Sequence, residues 1–152
     1  MGKYGEGESP SDSALVERFL RKDVSAFEEL YDQAGLFVRV DERTWIKAGV
    51  EMSDGLPQLG AVVTREQSDW SLAPVPEWSG RRVTIRASRN ADAVALRARC
   101  ESEPWRMIRL APLPPDAQVA AGLFCCAPER SGLTVSFHDF TVGPADRSLH
   151  EM

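Results

Sequence analysis

The chain has few of the residues that build metal sites and disulfide frameworks. Its 152 residues include two histidines and three cysteines, and the cysteines lack the paired C-x-x-C spacing of a zinc site. Cys125 and Cys126 are adjacent, so a bridge between them would be strained if both lie on a strand. We therefore expect no metal and no cofactor, and reduced thiols of the kind found in cytosolic proteins.

Long apolar runs are also missing. No stretch approaches the roughly 20 residues that a membrane-spanning helix needs, and the opening MGKYGEGESPSDS contains no apolar segment of the secretory type. We therefore expect a cytoplasmic protein without a membrane partner. The net charge of −5 argues against a nucleic-acid partner, because nucleic-acid surfaces are basic.

The first 31 residues differ in pattern from the rest. Residues 1–12 are rich in Gly, Ser and Glu without periodicity, which is typical of a disordered tail. In residues 13–31 the apolar side chains recur at helical spacing, as Leu15, Phe19 and Leu20 show. This spacing predicts a short helical segment there.

From residue 32 to residue 143 apolar and polar side chains alternate with the period of a β-strand. Turn-forming residues interrupt the pattern every 8–12 residues or so, which gives eight or nine short strands, the last at Leu133–Val142. Because strands do not alternate with helices, we predict a mainly β fold, an antiparallel sandwich or jelly roll. Residues 144–152 would form a C-terminal tail.

The first two strands fix the register of the predicted sheet. Pairing Val38 with Ile46, and Leu36 with Ala48, keeps the apolar side chains on one face. The second face is then mixed in character, polar and aromatic, and either meets solvent or meets a ligand. Its pairs are Arg39–Trp45, Phe37–Lys47 and Gln33–Glu51.

The best candidate site lies on this mixed face and on the next two strands. Aromatic faces stack on sugar C–H groups, while charged and amide groups bond to hydroxyls, so the set suits a carbohydrate or another small polar ligand. Cross-strand salt bridges on a solvated sheet are the alternative, for example Lys47–Glu51 or Arg65–Asp69. The candidate ligand-binding residues are Gln33, Arg39, Trp45, Lys47, Glu51, Arg65, Asp69 and Trp70.

A second polar cluster follows on the later strands. It consists of five arginines, which could share a face that is simply hydrated by solvent or a face that binds phosphate or an acidic polymer. His138 lies beside Asp139 but lacks an obvious Ser or Cys partner, so it is not assigned a catalytic role. The arginines are Arg82, Arg86, Arg97, Arg99 and Arg106.

Several motifs between residues 31 and 143 resemble a known family. They include Tyr31-Asp-Gln-Ala-Gly-Leu36, Trp45-Ile-Lys-Ala-Gly-Val-Glu51, Ser68-Asp-Trp-Ser71 and Val135-Ser-Phe-His-Asp-Phe140. This part is similar to the bacterial and fungal domain-of-unknown-function family related to the yeast "regulation of enolase" protein. That family lies in the concanavalin-A-like lectin/glucanase superfamily. The resemblance implies a lectin-like β-sandwich of uncharacterised function.

The resemblance also bears on catalysis and assembly. Retaining glycosidases of this superfamily use two carboxylates about 5 Å apart, whereas Glu51 stands alone on its strand. We therefore expect a non-catalytic module and keep a glycoside hydrolase as an alternative. Family members usually carry more strands before Tyr31, so we expect the sandwich to lack its first strands. A homodimer could then cover the exposed sheet edges.

Residues 13–31 resemble something else, the start of region 2 of extracytoplasmic-function sigma factors. This resemblance implies a second alternative, a sigma-derived fragment that contacts RNA polymerase. The two similarities meet near residues 30–31, which suggests a junction between two gene pieces. The matching residues are Leu15, Val16, Asp23, Ala26, Phe27, Leu30 and Tyr31.

Overall fold

A computed structural model describes residues 32–128 and 131–148 of the chain. The predicted tail at residues 1–12 and the predicted sigma-like helical segment at residues 13–31 lie outside the described residues. In the described residues there are eight strands and a short 3-10 helix at Pro76–Trp78. The strands are β1 (Asp32–Arg39), β2 (Thr44–Ser53), β3 (Leu56–Arg65), β4 (Gln67–Pro74), β5 (Val83–Asn90), β6 (Ala93–Cys100), β7 (Arg106–Pro112) and β8 (Ala120–Cys126).

These strands form two antiparallel sheets packed face to face. The larger sheet has the order β4-β3-β2-β1-β8, and the smaller has the order β5-β6-β7. The first four strands form a meander, the next three build the second sheet, and β8 returns to pair with β1. The predicted mainly antiparallel β-sandwich is confirmed.

The predicted register of the first hairpin is also confirmed. Val38 lies opposite Ile46, and Leu36 lies opposite Ala48. Val38, Ile46 and Ala48 are buried in the core between the sheets, together with Leu96 of the smaller sheet. A Val, Leu or Ile side chain contributes roughly 1.5–3 kcal/mol when it is fully buried. The apolar alternation therefore sets the pairing of β1 with β2, because a slip of one residue would expose this set.

The predicted final strand at Leu133–Val142 is wrong. The described residues 131–146 adopt no strand, and Phe137, Phe140 and Val142 are exposed. Apolar alternation selects which side chains share a face, but a strand also requires a neighbouring edge with which to exchange backbone hydrogen bonds. This segment does not pair with any of the eight strands.

The same segment is anchored near its end by Asp146. Its carboxylate accepts a hydrogen bond of 2.7 Å from Arg97 Nη1 and also pairs with Arg86. Its backbone N–H donates to Ser88 Oγ over 2.8 Å. Arg97 is only 1% exposed, and a buried charge is tolerated only with a partner. Asp146, from the predicted C-terminal tail, therefore supplies a carboxylate inside the fold.

The predicted solvent face of five arginines is accordingly wrong for Arg97. Arg86 and Arg99 lie with their guanidinium carbons 5.8 Å and 4.5 Å from the centroid of Trp105. Arg106 lies instead 4.7 Å from the centroid of Trp78. The cluster is therefore divided between two aromatic rings and one buried ion pair rather than forming a single basic surface.

Three glycines lie side by side across the centre of the larger sheet. Gly35 is opposite Gly49, and Gly49 is opposite Gly60. They belong to the face that points away from the smaller sheet, since Ala48 next to Gly49 belongs to the core. A Cβ added to Gly49 would collide with the carbonyl oxygen of Ala34. The three backbones can approach this closely only because no side chain separates them.

The substitution Gly49→Ala tests this close approach. We expect it to lower the free energy of unfolding by about 1–3 kcal/mol or more, because the added methyl group meets a rigid backbone. The matched control is Gly122→Ala on β8, where an added Cβ has no neighbouring atom within 4 Å. We expect a change within about 0.5 kcal/mol there. Urea unfolding of the full chain measures both, and equal losses would contradict the steric account.

Candidate functional site

A cleft lies over the glycine row, on the face of the larger sheet that points away from the smaller one. It has about 20 Å³ of space for water-sized molecules, far less than the roughly 300–1,000 Å³ of pockets for drug-sized ligands. Gly49 and Gly60 contribute to its floor. Its side-chain walls are partly polar and partly apolar, formed by Gln33, Lys47, Glu51, Val62, Trp70, Leu72 and Phe124.

Strand alternation explains why the polar groups converge. Lys47, Gly49 and Glu51 occupy every second position of β2 and therefore share one face. Because Gly49 has no side chain, Lys47 and Glu51 stand on either side of an open gap. Gln33 lies opposite Glu51 on β1, and Trp70 of β4 enters from the far side of β3. The cleft is thus a direct result of register.

Lys47 leans across the sheet towards β1 and β8. Its Nζ donates a hydrogen bond of 2.5 Å to Gln33 Oε1 and lies 5.9 Å from the ring centroid of Phe124. The side chain is buried, and this burial lowers the pKa of Lys47, while Cys126 and Glu51 act in the opposite direction. Its nearest hydrogen-bond partner is a neutral amide rather than a carboxylate.

Glu51 is the carboxylate of the cleft. Its side chain is buried, and Oε1 has no hydrogen-bond partner among the described residues. Burial raises the pKa of Glu51, and the charge of Lys47 partly opposes this. A buried acceptor without a donor costs about 1–3 kcal/mol or more, so this oxygen is an unfavourable feature of the described structure.

The two predicted tryptophans differ in access. Trp45 is only 3% exposed, and its ring centroid lies 5.6 Å from that of Phe37. It packs in a cluster with Phe37 and Phe124, so it cannot serve as a stacking surface for a sugar ring. Trp70 is 39% exposed and lines the cleft. The accessible aromatic face of the site is therefore that of Trp70.

The remaining predicted residues fall into two groups. Arg39 lies on the same face, opposite Trp45, outside the residues that line the cleft. Arg65 and Asp69 have the opposite strand parity and are not brought to the cleft. Asp69 instead forms an ion pair with Arg109 of the smaller sheet. The expectation that all eight candidates form one surface is therefore wrong for Arg65 and Asp69.

Sequence reasoning missed the glycine floor and the cleft contribution of Phe124. The pairing of Gly35 with Gly49 follows from the predicted register, because Leu36 and Ala48 are their neighbours. A row of glycines was thus already available as a signal for a gap in the face. Phe124 carried no such signal, since the pairing of β8 with β1 joins residues far apart in the sequence.

The described residues contain neither a metal-binding group nor a membrane-spanning helix. The residues that the structure describes contain no group of three or more His, Cys, Asp and Glu side chains able to hold a metal ion. Cys100, Cys125 and Cys126 are free thiols. Within residues 32–128 and 131–148 no helix has the length and apolar character needed to cross a membrane.

Fold and comparison together define the class of protein. The chain is an antiparallel β-sandwich that fits the concanavalin-like fold. A family model described as "Protein of unknown function (DUF1349)" matches residues 19–145. The chain belongs to this DUF1349 family.

Two curated relatives are fungal. "Regulation of enolase protein 1" of Saccharomyces cerevisiae is 37% identical over 128 residues, which is 84% of this chain and 64% of the relative. "Uncharacterized protein AN7484" of Emericella nidulans is 29% identical over 126 residues, with 76% of this chain and 62% of the relative covered. The chain thus spans less than two thirds of the length of either relative.

Two solved structures share the fold. A functionally unknown protein from Saccharomyces cerevisiae superposes with a TM-score of 0.59 at 36% identity, covering 69% of this chain and 56% of that one. Xylan β-1,4-xylosidase from Bacillus halodurans C-125 superposes with a TM-score of 0.55, covering 66% of this chain and 22% of the enzyme. At 16% identity the second likeness concerns the fold alone.

The comparisons lend no support to the sigma-factor resemblance. The family match begins at residue 19, inside the predicted sigma-like segment, and continues past residues 30–31, where a junction was expected. Neither of the relatives described above bears the name of a sigma factor.

The raised pKa of Glu51 can be tested through the pH dependence of the free energy of unfolding. Glu51 binds its proton more tightly in the folded chain than in the unfolded chain. The free energy of unfolding therefore falls as the pH rises above the pKa of an unfolded glutamate, about 4.3, and through the raised pKa of the folded state. Glu51→Gln removes this loss. We expect the variant to gain stability relative to wild type as the pH rises above about 4.3, as measured by urea unfolding.

The control for this measurement is Glu66→Gln. Glu66 is exposed and pairs with Arg43 on the surface, so we expect only a small change with pH. A Glu51→Gln variant whose stability relative to wild type falls as the pH rises would contradict the raised pKa.

Proposed function

We propose that this protein is a non-catalytic, lectin-like module that binds a carbohydrate or another small polar ligand in the cleft over Gly49. One observation carries the proposal: an oxygen of Glu51, a residue that lines the cleft with Lys47 and Gln33, is buried without a hydrogen-bond partner in the described residues. Buried polar groups are normally satisfied, so a donor supplied by a ligand accounts for this arrangement.

The chemistry of the cleft suits a polyhydroxylated ligand. A sugar hydroxyl can donate to Glu51 and accept from Lys47, because each hydroxyl both donates and accepts. The glycine floor allows a ring to approach the backbone, and the indole of Trp70 offers a face for stacking against C–H groups. The apolar walls formed by Leu72 and Phe124 match the less polar parts of such a ring.

The carboxylate content of the cleft favours binding over hydrolysis. Glycoside hydrolysis in the usual mechanisms requires two carboxyl groups, about 5 Å apart in retaining enzymes and about 6.5–9.5 Å apart in inverting ones. Among the described residues that line the cleft, Glu51 is the one carboxylate. The name of the yeast relative, "Regulation of enolase protein 1", likewise refers to regulation, which a binding module can serve without catalysing a reaction.

The proposal is tested by a glycan array followed by calorimetry on the full chain. With the best glycan found, we expect Trp70→Ala and Glu51→Gln each to raise Kd about tenfold or more, since each removes roughly 1–2 kcal/mol of contact. Phe140→Ala is the matched control for Trp70, because Phe140 is 47% exposed and does not line the cleft. Its Kd should be unchanged.

Two outcomes would overturn the proposal. One is the absence of glycan binding by the wild-type chain on the array. The other is a loss of affinity in Phe140→Ala as large as that in Trp70→Ala, which would place the ligand away from the cleft.

A further inference from the structure

We propose that Lys47 is an amine nucleophile that forms a reversible imine with the aldehyde carbon of the ligand. The ligand class would then be small aldehydes, among them the open-chain form of a reducing sugar. This inference rests on the proposed binding function and names the reactive end of the ligand.

The placement of Lys47 favours this chemistry over a structural salt bridge. Its side chain is buried, yet it lines an open cleft, so a small molecule can reach an amine that is shielded from most water. Its hydrogen-bond acceptor is Gln33 Oε1, at 2.5 Å, and no ion pair joins it to a described carboxylate. A neutral amide stabilises an ammonium less than a carboxylate does.

The surroundings of Lys47 also favour the unprotonated amine. Phe124 and Val62 line the cleft beside it, and desolvation lowers the pKa of a lysine, as it does here. Two titratable groups face it, Glu51 and Cys126, and both act to raise its pKa. Desolvation is the largest of the three effects. Lysines activated in this way form Schiff bases with carbonyl substrates.

The reaction balances without any further reagent. The nitrogen lone pair of Lys47 attacks the aldehyde carbon, a C–N bond forms, and the carbonyl oxygen becomes a hydroxyl group. The C=O π bond breaks in this step and its oxygen takes one amine hydrogen; the hydroxyl then takes the second amine hydrogen and leaves as water while the C=N bond forms, and no atom is oxidised or reduced. Glu51, with its pKa raised by burial, is the acid–base group of the cleft that can move these protons.

The composition of the chain makes this testable by chemical trapping. Lysine occurs at three positions only, Lys3, Lys22 and Lys47. The full chain is incubated near neutral pH with glyceraldehyde as the probe and sodium cyanoborohydride as the reductant, and the labelled lysine is found by peptide mass mapping. We expect Lys47 to be labelled at least about tenfold faster than Lys3 or Lys22.

A charge-altering variant separates an activated amine from a merely accessible one. Gln33→Glu places a carboxylate beside Nζ and should slow the labelling of Lys47 about tenfold, because it stabilises the ammonium. Lys22→Arg is the control and should leave the labelling of Lys47 unchanged. Equal labelling of the three lysines, or no slowing in Gln33→Glu, would overturn the inference.

A methyl glycoside separates the failure of this inference from that of the proposed function. Such a ligand has no free aldehyde and can bind only non-covalently. If its binding depends on Trp70 while Lys47 is not preferentially labelled, only the imine is overturned. If neither binding nor labelling is found, both proposals are overturned.

Discussion

The close approach of three backbones at Gly35, Gly49 and Gly60 is the constraint on which the rest of the site depends. A side chain at Gly35 or Gly49 would collide with the neighbouring strand, so the central strands can pack in this way only with glycine. The absence of side chains opens a gap in one face of a sheet whose other face is filled by the core. The fold and the cleft therefore have the same cause.

This gap determines the burial and the hydrogen bonding of the polar residues around it. Lys47 and Glu51 flank Gly49 on one strand, where the rows of side chains on either side bury them. Lys47 finds an amide oxygen, while one oxygen of Glu51 has no donor in the described residues. Charged groups kept partly desolvated in a cleft have shifted pKa values and are poised for binding or reaction. Such an arrangement costs stability and is retained where a ligand uses it.

Much of the fold could be predicted from the sequence. The alternation of Leu36 and Val38 against Ile46 and Ala48 sufficed for the register of the first hairpin, because this pairing keeps all four on one face. The same register implied the neighbours Gln33 and Glu51. Local periodicity is thus sufficient to predict the pairing of strands that are adjacent both in the sequence and in space.

Two features could not be predicted in this way. Burial of Trp45 and Arg97 depends on long-range partners, Phe124 and Asp146, that no local pattern identifies. The segment at Leu133–Val142 has the alternation of a strand, but alternation does not supply a neighbouring edge. The position of Asp69, by contrast, follows from local alternation, because adjacent strand residues such as Asp69 and Trp70 point to opposite faces.

The central claim is that the ligand lies over the glycine row, and glycine-selective ¹⁵N labelling tests it most directly. The chain has 11 glycines, so each amide can be followed by NMR while a glycan identified on the array is added to the full chain. The account predicts the largest shift changes at Gly35, Gly49 and Gly60, with Gly55 and Gly80 in distant turns unchanged. Changes confined to Gly55 and Gly80, or none at saturating glycan, would contradict it.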